Sequence, residues 1–199
     1  MAILLNEPPS MVNNYQLDNT LAQLEQGGLI LYPTDTVWSI GCDATNPDAV
    51  AKLTSLKNRP SNKPYILLAD SLAMIQQYVE HVHPRLETLL HYHVRPLTVV
   101  YERAKGLPVS VSNEWNEVAF RIPMDDFCRA LVRDFGRPII ASAAKVEGAD
   151  YPKYFGEISS DILMGVDQVV KYRQTDRQVG LPSVIARLSE KEELEFLRD

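Results

Sequence analysis

The sequence predicts an α/β fold: a twisted, mixed β-sheet with helices packed on it. Three observations carry that reading. Short apolar β-prone runs such as "LILY" and "YILLA" are separated by capped helical segments, the two element types do not alternate strictly, and neither a GxGxxG fingerprint, a Walker A loop nor an internal repeat is present. A chain of 199 residues suits a single domain with a real core, and 45% hydrophobic with 23% charged residues is ordinary globular composition.

The first helix signal is "LDNTLAQLEQGG", with Asp18 or Asn19 as cap, Leu21 and Leu24 on one face and Gly27 as terminator. Leu29 to Tyr32 then reads as a buried strand, broken by Pro33, Thr34, Asp35 and Thr36 before Val37 to Cys42 resumes. A proline after β-prone residues ends the ladder. The hydroxyls and carboxylate that follow suit either a plain turn or a ligand-contacting loop. "NPDAVAKLTSLKNRP" is the clearest helix, with Asn46 as cap, Pro47 at the first position and Asp48 near the positive end of the dipole. It must stop before Pro60, whose ring disfavours an α conformation at Arg59. "PYILLA" reads as a doubly buried strand and Ser71 opens a helix through Tyr78. Strands are expected at Leu97 to Glu102 and Val118 to Ile122. A helix from Asp125 or Asp126 to Gly136 and a strand from Pro138 to Ser142 follow. The last elements are a short helix around Ile158 to Met164 and strands at Gln168 to Tyr172 and Ser183 to Leu188.

The net charge of −6 argues against a protein coated in nucleic acid but leaves room for a local basic groove. Cys42 and Cys128, far apart in apolar surroundings, read as two buried thiols of a reducing compartment rather than a disulfide. "MAILLNEPPS" has neither a basic start nor a long apolar run, so no signal peptide or membrane contact is expected, and the cytoplasm is the default location.

Three stretches could carry chemistry. "KNRPSNKP" places Lys57, Arg59 and Lys63 around a helix C-terminus. There they answer the dipole, at about 0.3 to 1 kcal/mol each, or converge on a phosphate or carboxylate. "VAFRIP" puts Arg121 inside a strand, where a guanidinium needs an anionic partner, either internal, such as Asp35, or a ligand carboxylate. "IIASAAKVEG" ends a strand in Ser142, two alanines and Lys145, small enough for close ligand approach or simply for packing under a helix. The four histidines, in "HVH" and "HYH", have metal-compatible spacing if they lie on strands, but no carboxylate or cysteine pattern joins them, and no metal site is assigned.

In this order the pieces resemble the YrdC-like family, which includes synthases that make threonylcarbamoyl-AMP from L-threonine, bicarbonate and ATP. "YPTDTVWSIG" is similar to the family's YPTDTVYGLG, "KNRP" to its lysine, any residue, arginine, proline signature, and "KPYILLA" to its KP before an apolar strand. "VRPLT" resembles PGPLT and "VAFRIP" resembles VAVRIP. "ASAAKVEG" stands where the family has serine, any residue, asparagine, and "PSVIARL" resembles an STIVD-like strand. The likeness covers about residues 17 to 188. It implies a twisted α/β fold around a large concave cavity that binds nucleotide. It also implies ATP as a substrate, Mg2+ as its companion without a tightly bound metal, and in some members a surface for double-stranded RNA or tRNA. Carried over, Lys57 and Arg59 hold phosphates and the carbonate-derived group, Thr34 and Arg121 fix threonine, and Ser142 and Ser183 contact the nucleotide. An RNA-binding patch would draw on Lys52, Lys57, Arg59, Lys63 and Lys145.

Four positions depart from the pattern: Ala144 replaces the asparagine, Pro182 precedes Ser183 where the family has serine and threonine, Ser39 replaces a glycine, and Arg95 another. Each lost hydrogen bond to a charged ligand costs roughly 1.5 to 3 kcal/mol. Three readings therefore stand at this point: an active synthase serving tRNA modification, a non-catalytic RNA- or ribosome-binding paralogue, and a cavity for another nucleotide or acyl phosphate.

Overall fold

The structure is a computed structural model that describes residues 14–60, 63–177, 179–189 and 191–199. The reading of Met1 to Ser10, and Ser61 and Asn62 of "KNRPSNKP", lie outside the described residues.

Helix α1 (Asn14–Glu25) starts earlier than Asp18, so neither Asp18 nor Asn19 is its cap; it ends where expected, at Gly27, whose φ of 72° is left-handed. Strand β1 (Ile30–Tyr32) and β2 (Ser39–Gly41) pair antiparallel around the Pro33 to Val37 loop. Helix α2 (Pro47–Leu56) is capped as predicted: the Asn46 side chain accepts from the N–H groups of Asp48 and Ala49 at 3.0 and 3.2 Å. Strand β3 (Ile66–Leu68) and α3 (Leu72–Tyr78) follow, with the Ser71 hydroxyl capping α3 through the Met74 N–H.

Helix α4 (Pro84–Tyr92) was not foreseen. Only Leu86 in it is buried, so its apolar stripe is weak, and its start is marked by an unusual cap: His83 Nδ1 accepts from the Arg85 N–H at 3.1 Å. The strand geometry that would have put histidine pairs on one face is therefore not the one adopted. Among the described residues no group of three His, Cys, Asp or Glu side chains is placed to hold a metal.

Strands β4 (Leu97–Tyr101) and β5 (Val118–Arg121) come next, and α5 (Asp126–Phe135) has the predicted Asp125 cap and left-handed Gly136. The strand expected from Pro138 to Ser142 is two strands. β6 (Ile139–Ile140) pairs with β3, and β7 (Ser142–Ala143) pairs with β2. Helix α6 (Ser160–Gly165), β8 (Gln168–Val169) and β9 (Val184–Leu188) are close to expectation. β10 (Leu194–Arg198), not foreseen, pairs antiparallel with β9.

Instead of one sheet there are two mixed ones, ordered β7-β2-β1-β8 and β10-β9-β4-β5-β3-β6. The seam is the crossing at Ala141. Ile140 and Ala141 donate their N–H groups to Cys42 and Ile66, and Gly41 passes so close that a Cβ there would lie 2.5 Å from the Ile140 carbonyl oxygen. A core of Leu31, Ile40, Leu53, Leu67, Phe120, Phe127 and Leu131 fills the space between sheets and helices. Cys42 and Cys128 are both free and buried. Among the described residues no helix is long and apolar enough to cross a membrane.

Candidate functional site

The crossing at Ala141 opens a cavity of about 380 Å³ between the sheets, walled by the ends of β2, β5, β7, β9 and β10 and by the segment after α2. It gathers five of the six residues singled out for substrate binding: Lys57, Arg59, Arg121, Ser142 and Ser183. Thr34 is not among its lining. The Thr34 hydroxyl is engaged in the turn, donating to the Val37 carbonyl at 2.8 Å and lying 2.8 Å from the Thr36 hydroxyl. Thr36 lines the cavity instead. The loop therefore works mainly on its own geometry, and its second threonine is the one that faces the cavity.

Lys57 closes α2 and is 3% exposed. Its ammonium donates to the carbonyls of Ala143 and Lys145, tying the end of α2 to the segment after β7. Burial first, then the neighbouring Arg59 and Lys145 charges, push its pKa down to about 7. Asn58 follows at φ 49°, a left-handed turn that asparagine tolerates, and this redirects the chain so that Arg59 enters the cavity wall. The Arg59 guanidinium lies 4.6 Å over the Tyr65 ring and donates to the Pro64 carbonyl at 2.7 Å.

Arg121 ends β5 at the centre of the larger sheet, opposite Thr98 on one side and Leu68 on the other. Its internal partner is Asp35, as one of the two sequence readings had it; the Asp35 carboxylate also accepts from the Met124 N–H at 2.9 Å. This pair fastens the Pro33 to Val37 loop to β5. Ser142 is buried at the cavity wall, and among the described residues its hydroxyl has no protein partner. The Ser183 hydroxyl lies 2.7 Å from that of Thr98 and accepts from Arg198 at 3.2 Å.

The proposed RNA patch is scattered. Lys63 and Lys145 line the cavity beside Lys57 and Arg59, whereas Lys52 is exposed on α2 away from it. Of the departures from the family pattern, Ser39 sits in an ordinary ladder opposite Ala143, with no positive φ. Ser39 and Pro182 both line the cavity, Ala144 is buried outside it, and Arg95 is exposed and also outside.

Sequence reading missed Tyr65, Glu147, Tyr151 and Arg198, all in the wall. Arg198 depends on β10, whose strand was not recognised. Glu147 and Tyr151 come from a loop whose only signal was its position after "ASAA". The resulting wall carries Lys57, Arg59, Lys63, Arg121, Lys145 and Arg198 against one carboxylate among the described residues, Glu147. Such a wall suits a polyanionic ligand. Its donor set does not suit a resident magnesium ion, which takes several oxygen ligands, usually carboxylates and water.

The Sua5/YciO/YrdC family profile, described as telomere recombination, matches residues 22–199. A threonylcarbamoyl-AMP synthase of Halorhodospira halophila is 31% identical over 160 residues, covering 76% of this chain and 84% of that protein. One from Xanthomonas oryzae is 28% identical over 192 residues, covering 95% and 100%. Among solved structures, P. abyssi Sua5 complexed with L-threonine superposes with a TM-score of 0.83 at 21% identity, over 94% of this chain but 54% of that one. The present chain thus spans about half the length of that Sua5. E. coli YciO gives a TM-score of 0.78 at 17% identity, over 94% of this chain and 90% of the other. At these identities the structural likeness is one of fold.

Proposed function

The chain belongs to the Sua5/YciO/YrdC family, and from that premise we propose that it joins L-threonine, bicarbonate and ATP into threonylcarbamoyl-AMP for tRNA modification. The observation that carries this reading is the cavity itself, in which Lys57, Arg59, Arg121, Ser142 and Ser183 converge on one space. In this reading bicarbonate and the threonine amine condense to a carbamate with loss of water, a carbamate oxygen attacks the α-phosphate, and pyrophosphate leaves. That chemistry depends on holding the reactants in line and on stabilising negative charge, and the wall is built mainly of fixed cationic donors. Arg59 and Lys63, both in the wall, would meet the phosphate oxygens, and the Ser142 hydroxyl, which has no partner among the described residues, would hydrogen-bond the nucleotide. Mg2+ would arrive with the triphosphate as part of the substrate. Thr36, rather than Thr34, would contact the amino acid.

The test is to incubate the purified protein with all three substrates and Mg2+ and look for threonylcarbamoyl-AMP and pyrophosphate by mass spectrometry. Product is expected only when threonine and bicarbonate are both present; a folded protein that makes none overturns the synthase reading.

Two observations favour a second reading, a non-catalytic paralogue that binds double-stranded RNA or tRNA. Ala144 offers no amide, and the Lys57 ammonium is already engaged by two carbonyls. Exposed Lys52 and half-exposed Lys63 would then meet phosphates, and affinity for duplex RNA would fall steeply with salt. A flat salt response counts against it.

A further inference from the structure

Glu147 has no role in the family resemblance, yet among the described residues it is the one carboxylate in the cationic wall. Its carboxylate is 2.6 Å from Lys63 Nζ and 3.9 Å from Arg59 Nη1, so it bridges two of the cations an anionic ligand would need. It is also held in place from behind: its backbone N–H donates to the Lys57 carbonyl at 2.9 Å, while the Lys57 ammonium grips the carbonyls of Ala143 and Lys145 on the same segment. The Lys63 hydrogen bond holds the Glu147 carboxyl below its ordinary range, so the group is anionic at neutral pH.

We propose that Glu147 is a charge selector, a carboxylate built into the anion subsite of Arg59 and Lys63 that disfavours highly charged polyphosphates relative to less charged anions. The proposal rests on the reading of this cavity as a nucleotide site. Coulomb repulsion grows in proportion to the ligand's charge, so one fixed carboxylate penalises a bare triphosphate about twice as strongly as orthophosphate. A triphosphate whose charge is partly neutralised by Mg2+ is penalised less. A mere structural clasp between Glu147 and Lys63 makes a different forecast: its loss changes stability and affects every anion by the same factor.

The experiment is calorimetric titration of the wild-type protein, Glu147→Gln and Glu147→Ala with orthophosphate and with tripolyphosphate, in EDTA at one low ionic strength, with folding checked by circular dichroism. Both variants are expected to bind orthophosphate about threefold and tripolyphosphate about tenfold more tightly than wild type, the second factor being near the square of the first. Equal factors for the two anions, or no gain where wild type binds measurably, overturn the selector and leave the cavity reading standing. Failure of all three proteins to bind either anion overturns the nucleotide-site reading, and the selector with it.

Discussion

Replacing Arg121 with Met while leaving Asp35 in place is a direct probe of how the site is built. The two side chains are 3% and 8% exposed, and their ion pair joins the Pro33 to Val37 loop to the middle of the larger sheet. Breaking a buried pair by removing one partner costs about 3 to 5 kcal/mol, because the remaining charge is left uncompensated. Asp35 keeps the Met124 N–H, at 2.9 Å, so the lower end, about 3 kcal/mol, is expected. For a chain of this size about 2 to 4 °C accompany each kcal/mol, which gives a melting point lower by about 6 to 12 °C. The companion Asp35→Asn, Arg121→Met removes both charges and keeps an acceptor for Met124, so it is expected to recover at least half of that loss. Urea and thermal unfolding of the two variants and wild type measure it. A loss under about 1 kcal/mol for Arg121→Met, or a double variant no more stable than the single one, would refute the argument that the loop is fastened by charge pairing.

Three further outcomes are expected. Lys57 binds fewer protons folded, with a pKa of about 7, than unfolded, at the ordinary lysine value of 10.5, so wild-type stability should rise relative to Lys57→Met between those two pH values. Denaturant midpoints at pH 6, 8 and 10 check this, and a difference that stays flat or falls contradicts the buried-amine assignment. Gly41→Ala would put a methyl 2.5 Å from the Ile140 carbonyl oxygen and 2.7 Å from the Tyr32 ring, and should cost about 1 to 3 kcal/mol in urea unfolding; a neutral result would mean the sheet seam relaxes freely. Cys42 and Cys128 should ignore a thiol-specific chromogenic reagent in the native protein and react together on unfolding, since burial drives both thiol pKa values up; prompt native reaction of either contradicts it.

Much of the fold was legible because local signals agreed with tertiary structure. Asn46 and Pro47 opened α2, Asp125 and Gly136 bracketed α5, and the "YILL" run became the inner strand β3. What escaped were elements held by their neighbours rather than by their own pattern. α4 buries little but Leu86, and β10 presents exposed Leu194, Phe196 and Leu197 along an edge. The split at Ala141 was invisible because period-two burial is the same whether a run pairs with one sheet or passes between two. The cavity followed suit. Motifs pointed to Lys57, Arg59, Arg121, Ser142 and Ser183, which converge, whereas Thr34 turned inward and Thr36 took the wall. Glu147 and Arg198 come from the loop and strand that sequence could not place.

The measurement that bears most directly on the central claim compares wild type with Arg59→Ala, both shown to be folded, in an assay of threonine- and bicarbonate-dependent pyrophosphate release from ATP. The cavity reading predicts release by wild type and a loss of at least about tenfold in the variant, the cost of roughly one charge-assisted hydrogen bond. No release by wild type, or equal release by both proteins, would contradict it.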